Sequence, residues 1–304
     1  MRAHSILTLV FLVLAGSPCF GAHIVGVTRH ADLPYASVAG VAPNLLSLDL
    51  YTPDLRPPAP APVVIWIHGG GWQEGDKANQ MQYKPALFAQ AGYCLASVNY
   101  RLSPAPESTD PQRVKYPVHE QDVAAAIAWL SAHVGEYGGD PSRMVVAGHS
   151  AGAHLAALVS TDEAFLAAHG LGLKSLRGAV IVDTECFDVP RALGEKPDPF
   201  FVNCFGDKPE EWRRASPIFN LSPGKDIPPM LIVKRGGPDR RTQVQAFVDA
   251  LAKIGAKAET LDARSYTHGD VNQKIGAPGD EVVTPPLMKF LAECFKTTAG
   301  PRQP

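Results

Sequence analysis

The sequence predicts an α/β protein: a mostly parallel central sheet flanked by helices on both faces. Short apolar runs of strand length, at residues 61–67, 179–182 and 229–234, alternate with stretches whose apolar residues recur at helical spacing. Val123, Ala126, Ile127 and Leu130 form one such stripe, and Phe247, Leu251 and Ile254 another. Strands separated by crossover helices give parallel pairing with right-handed connections. The apolar runs at 61–67 and 145–147 also end on glycine-rich turns, at 68–71 and 148–152.

In chain order, Met1, Arg2, Ala3 and His4 precede an apolar run at 6–15, with small residues near Gly16, Ser17, Gly21 and Ala22. This reads as a secretory signal peptide over 1–22, too short for a comfortable membrane span. The expectation is an exported protein whose residues 23–304 form one catalytic domain. Residues 46–51 alternate apolar and polar, as a half-exposed strand does, and proline-rich 53–62 links them to the strand at 61–67. Residues 92–97 read as a strand carrying a buried Cys94, and 116–137 as a crossover helix. Two irregular stretches, 103–115 and 187–223, are expected to shape a pocket, the second as a lid-like insertion with Phe200, Phe201, Phe205 and Trp212. A helix is expected over 242–255, and residues 297–304 as a frayed tail.

The 304 residues and 45% apolar content suit one domain with a large core. A formal charge of −2 gives no electrostatic reason for nucleic-acid binding and suits small neutral substrates. No paired C-x-x-C or H-E-x-x-H spacing calls for a metal, and the absence of G-x-G-x-x-G and G-x-x-x-x-G-K-[ST] argues against a phosphate-bearing cofactor. Once Cys19 leaves with the leader, Cys94, Cys186, Cys204 and Cys294 remain. Export permits disulfides, and Cys186 with Cys204, which bracket the irregular segment, are the candidate pair.

The chemistry is concentrated in Gly148-His149-Ser150-Ala151-Gly152, which follows an apolar run and precedes a helix-compatible one. That is the strand, tight turn and helix of a nucleophile elbow, with Ser150 as nucleophile. Flanking glycines are required because a Cβ on either neighbour meets adjacent backbone. His68-Gly69-Gly70-Gly71 leaves backbone N–H groups unshielded at a strand end, so the N–H groups of Gly70 and Gly71, with that of Ala151, are assigned to an oxyanion hole.

On these motifs, with Asn99-Tyr100-Arg101, Tyr116-Pro117 and Tyr137-Gly138-Gly139-Asp140-Pro141, the chain resembles the α/β-hydrolase superfamily. It is similar to HGGG-bearing esterases related to hormone-sensitive lipase and to arylformamidase-like and feruloyl-esterase-like proteins. The resemblance implies a Ser-acid-His triad in that chain order. It places the base at His268, after the last strand, and the acid a few residues after the strand at 229–234, at Asp239. Arg235 stands where relatives commonly have histidine, and Asp183, ending the strand at 179–182, is the rival acid. His68 is expected to brace the oxyanion loop, with His149 only the variable elbow position. Asp122 and Asp140 should make capping or loop contacts, and His154 and His169 structural or surface ones. The implied activity is hydrolysis of small-molecule carboxylic esters through an acyl-enzyme. Arylformamidase-like cleavage of N-formyl aryl amines is the nearest alternative, and a non-catalytic binding protein on the same scaffold is the other.

Overall fold

Alternate residues along the central strands face two separate cores, and this decides where the helices lie. The computed structural model describes residues 26–55, 58–110, 113–184 and 186–296. The leader, with Cys19, and the tail at 297–304 lie outside them. Among the described residues, eight strands form one sheet: β1 (Val27–Pro34), β2 (Ser47–Pro53), β3 (Ala61–Ile67), β4 (Cys94–Val98), β5 (Gly139–His149), β6 (Leu176–Val182), β7 (Met230–Lys234) and β8 (Ala258–Asp262). The helices are α1 (Lys84–Gln90), α2 (Val118–His133), α3 (Ala151–Val159), α4 (Glu163–Ala167), α5 (Val189–Leu193), α6 (Pro199–Phe205), α7 (Pro209–Arg214), α8 (Pro238–Lys253), α9 (Asp270–Gln273) and α10 (Thr284–Phe295).

The strand order is β1-β2-β4-β3-β5-β6-β7-β8. β2 pairs antiparallel with β1 and β4, and the strands from β4 to β8 run parallel. Val63, Ile65 and Ile67 of β3, with Val146, Ile181 and Ile232, pack on Ile127 of α2, Leu155 of α3 and Phe247 of α8. Val64 and Trp66, with Val145, Val180 and Val182, face the other way onto Phe88 of α1 and Leu287 and Phe290 of α10. Strands covered on both sides read as unbroken apolar runs, which is why β3 and β6 were legible as buried.

Two expectations change. β2 is buried along its whole length rather than half exposed. Its polar residues are satisfied internally: Asp49 accepts from Arg29 at 2.6 and 3.0 Å and from the Asp32 N–H at 2.9 Å, and Ser47 donates to the Asn44 carbonyl at 2.8 Å. α8 starts at Pro238 instead of residue 242, because proline at the first helical positions suits a helix start and Asp239 complements the first turn's exposed N–H groups. No helix among the described residues is long and apolar enough to cross a membrane.

Candidate active site

The functional groups collect at the carboxyl ends of the parallel strands. Ser150, between β5 and α3, has φ 56° and ψ −118°, a left-handed conformation that side chains rarely adopt. Its N–H donates to the Val182 carbonyl at 2.9 Å, which ties the turn to the end of β6. A Cβ on Gly148 would strike the backbone of Gly152, and one on Gly152 would strike the carbonyls of Ile67 and His68. Both glycines of the elbow are therefore demanded by backbone contact.

After β3, Gly70 and Gly71 also have positive φ, and a Cβ on Gly71 would enter the Phe200 ring. Among the described residues, the N–H groups of Gly70, Gly71 and Ala151 have no hydrogen-bond acceptor. The loop is held from behind: the buried His68 donates from Nδ1 to the Gly69 carbonyl at 2.7 Å and stacks on Tyr100, whose hydroxyl donates to the His68 carbonyl. Burial lowers the His68 pKa, so the ring braces the loop without charge.

His268 lies in the loop between β8 and α9. Thr267 and Asp270 bind one another through side chain and backbone on either side of it. His268 Nδ1 donates to Asp183 Oδ2 at 2.6 Å, which leaves Nε2 of the neutral ring as an acceptor. Asp183, at the end of β6, is itself in the left-handed region, with φ 57°. Arg235 Nε donates to the same carboxylate oxygen at 2.6 Å and Arg240 Nε to the other at 3.0 Å, while Arg240 Nη2 reaches the Asp183 carbonyl at 2.9 Å. Burial alone would raise the Asp183 pKa; the His268 hydrogen bond and the two guanidinium groups outweigh it and hold the carboxyl well below the usual range.

The carboxylate partner of His268 is thus Asp183 and not the expected Asp239. Asp239 is exposed in the first turn of α8, because the chain begins its helix directly after the short turn that follows β7. His149 also does more than fill the elbow: its Nε2 donates to the His268 carbonyl at 2.8 Å. Burial and the neighbouring His268 depress its pKa to about 3, so it supports the His268 loop as a neutral ring. Neither Arg235 nor Arg240 carried a sequence signal for contact with Asp183, apart from the departure from histidine at 235.

Other expectations concern support. Asp122 accepts from Arg101 and Asp140 from Ser142 and Arg143, as loop contacts. His154 is fully buried and binds the Ala215 carbonyl at 2.8 Å. Cys186 and Cys204 are separate buried thiols rather than a disulfide, and Cys204 Sγ donates to the Gly71 carbonyl at 3.4 Å. His149, Asp183 and His268 bring potential metal-ligand atoms within 4.8 Å of one another. However, His149 Nε2 is engaged by a carbonyl and His268 Nδ1 by the carboxylate, so the cluster is bonded inward instead of converging on an ion.

Ser150 and His268 border two clefts. One, of about 850 Å³, is also walled by Gly70, Gly71, Gln73 and Asn272, and the other, of about 320 Å³, by Ala151, Asp183, Phe200, Phe201 and Arg235.

Residues 48–185 match the BD-FAE family model. The chain is similar to Esterase LipQ of Mycobacterium tuberculosis, 32% identical over 249 residues that cover 78% of this chain and 56% of that protein. The chain spans 56–60% of the length of the first curated relatives it matches. Among solved structures, it resembles the apo form of Thermogutta terrifontis esterase 2, with TM-score 0.68, 25% identity and coverage of 90% of this chain and 96% of that one. A phosphonate-inhibited esterase B from Lactobacillus rhamnosis shares the fold at TM-score 0.72 and 22% identity, covering 89% of this chain and 86% of its own.

Proposed function

Because the chain belongs to the α/β-hydrolase superfamily, we propose that it is a serine hydrolase of small carboxylic esters, with Ser150, His268 and Asp183 as its triad. The observation that carries this is the placement of a strained Ser150 in the same clefts as a His268 already oriented by Asp183. The esterase names of the relatives support it.

In this reading, Ser150 Oγ attacks the ester carbonyl carbon while its proton passes to His268 Nε2. The resulting oxyanion accepts hydrogen bonds from the N–H groups of Gly70, Gly71 and Ala151, which stand without other acceptors before substrate arrives. Collapse of the intermediate breaks the carbonyl–alkoxy bond, and His268 returns its proton to the departing alcohol. Water then gives a proton to Nε2 and attacks the acyl-serine; collapse frees the acid and restores the Ser150 hydroxyl. Asp183 remains a carboxylate throughout, holding the ring's tautomer and offsetting the imidazolium charge.

Steady-state hydrolysis of p-nitrophenyl acetate, butyrate and octanoate beside N-formylkynurenine tests the reading, with Ser150→Ala as control. Ester turnover that vanishes in the variant is expected. Preferential turnover of the formamide would replace the ester reading with an arylformamidase one. A folded protein that neither turns over substrate nor takes a fluorophosphonate label on Ser150 would point to a binding role. The leader supports a further proposal of export through a cleaved signal peptide: the mature protein should begin after Gly21 or Ala22, and secreted material starting at Met1 would overturn the cleavage.

A further inference from the structure

The smaller cleft has an unusual wall for a short acyl chain. Phe200 and Phe201 supply apolar surface, yet Arg235 and Arg240 border the same space as Ser150 and Ala151. Arg235 directs Nε at Asp183, and its terminal Nη1 and Nη2 groups have no hydrogen-bond acceptor among the described residues. Its side chain is 22% exposed, so the guanidinium is held largely within the protein while its terminal donors remain open. The single carboxylate of Asp183 is already shared by two guanidinium groups and His268. A planar fork with two open donors matches a carboxylate better than it matches a methylene chain.

We propose that Arg235 selects esters whose short acyl chain ends in a carboxylate, that is, hemiesters of small dicarboxylic acids. The inference rests on the ester-hydrolase reading above and adds the substrate class. The acyl chain occupies the cleft of about 320 Å³, with its far carboxylate on Arg235, and the alcohol occupies the cleft of about 850 Å³.

The test compares monoethyl glutarate with ethyl 5-oxohexanoate, its neutral methyl-ketone isostere, in the full chain and in Arg235→Gln and Arg235→Lys. The acidic ester should have the higher kcat/KM in the parent. That preference should fall by about 10–100-fold in Arg235→Gln, the range of one lost charge-assisted hydrogen-bond pair, with partial recovery in Arg235→Lys. If Arg235 only supports Asp183, both substrates slow by the same factor and the preference is unchanged, which overturns the proposal. Calorimetry with Ser150→Ala reads the inference without turnover. Monoethyl glutarate should bind, and should bind at least about 10-fold more weakly after Arg235→Gln is added; no binding, or equal binding, overturns it. Hydrolysis that survives Ser150→Ala would instead defeat the serine mechanism, whatever the calorimetry shows.

Discussion

Asp183 receives three donors on its carboxylate and is held by them in the ionised form, so its substitution and that of Asp239 should have opposite outcomes. Asp183→Asn should lower kcat on p-nitrophenyl butyrate by about 10³–10⁴-fold, because an amide no longer enforces the ring tautomer that exposes Nε2. Asp239→Asn should leave kcat within about twofold, the ordinary result for an exposed group away from the reacting atoms. Ser150 and His268 were legible in the sequence because glycine spacing and a position after the last strand identify them locally. The acid was not. Asp183 and Asp239 both follow apolar strands, and the choice depends on which loop turns back toward His268, 85 residues beyond Asp183. The left-handed backbone at Asp183 makes that turn, and no residue type announces it.

At the scale of elements, the insertion between β6 and β7 is held to the nucleophile helix by His154. Its Nε2 binds the Ala215 carbonyl just after α7, and its ring contacts Trp72 and Phe205 edge-on. His154→Leu should leave that carbonyl unsatisfied and cost about 1–3 kcal/mol. A lower Tm together with faster proteolytic cleavage within residues 187–223 would confirm the tether, and unchanged cleavage would refute it. The long helices α2 and α8 were legible from their apolar spacing, but α5, α6 and α7 were not. Helices of five to seven residues present too few turns for a periodic stripe. Their signal lay in their starts: Asp188 caps α5 and Asp198 caps α6, each ahead of a proline.

For the molecule as a whole, Glu120 makes stability depend on pH. It is fully buried in the first turn of α2, and neither carboxylate oxygen has a hydrogen-bond partner among the described residues. Burial pushes its pKa up to about 8, against about 4.3 for an unfolded glutamate. The folded state therefore holds the proton more tightly than the unfolded one. Its contribution is fully present below about pH 4.3 and is lost as pH rises through about 8. Glu120→Gln should raise Tm at pH 8 by a few degrees and make little difference near pH 4; thermal melts at both values check it.

The cleft also has an order of assembly. Its parts follow β3, β5, β6 and β8, and the last of these is an outermost strand of the sheet, paired only along β7 among the described residues. Contacts between residues so far apart in the chain close late, after the more local pairings have formed. During refolding, the pairing of β8 with β7, whose partners lie close in the chain, should recover before Ser150 gains its base. The return of turnover thus clocks the meeting of distant loops rather than the pairing of neighbouring strands.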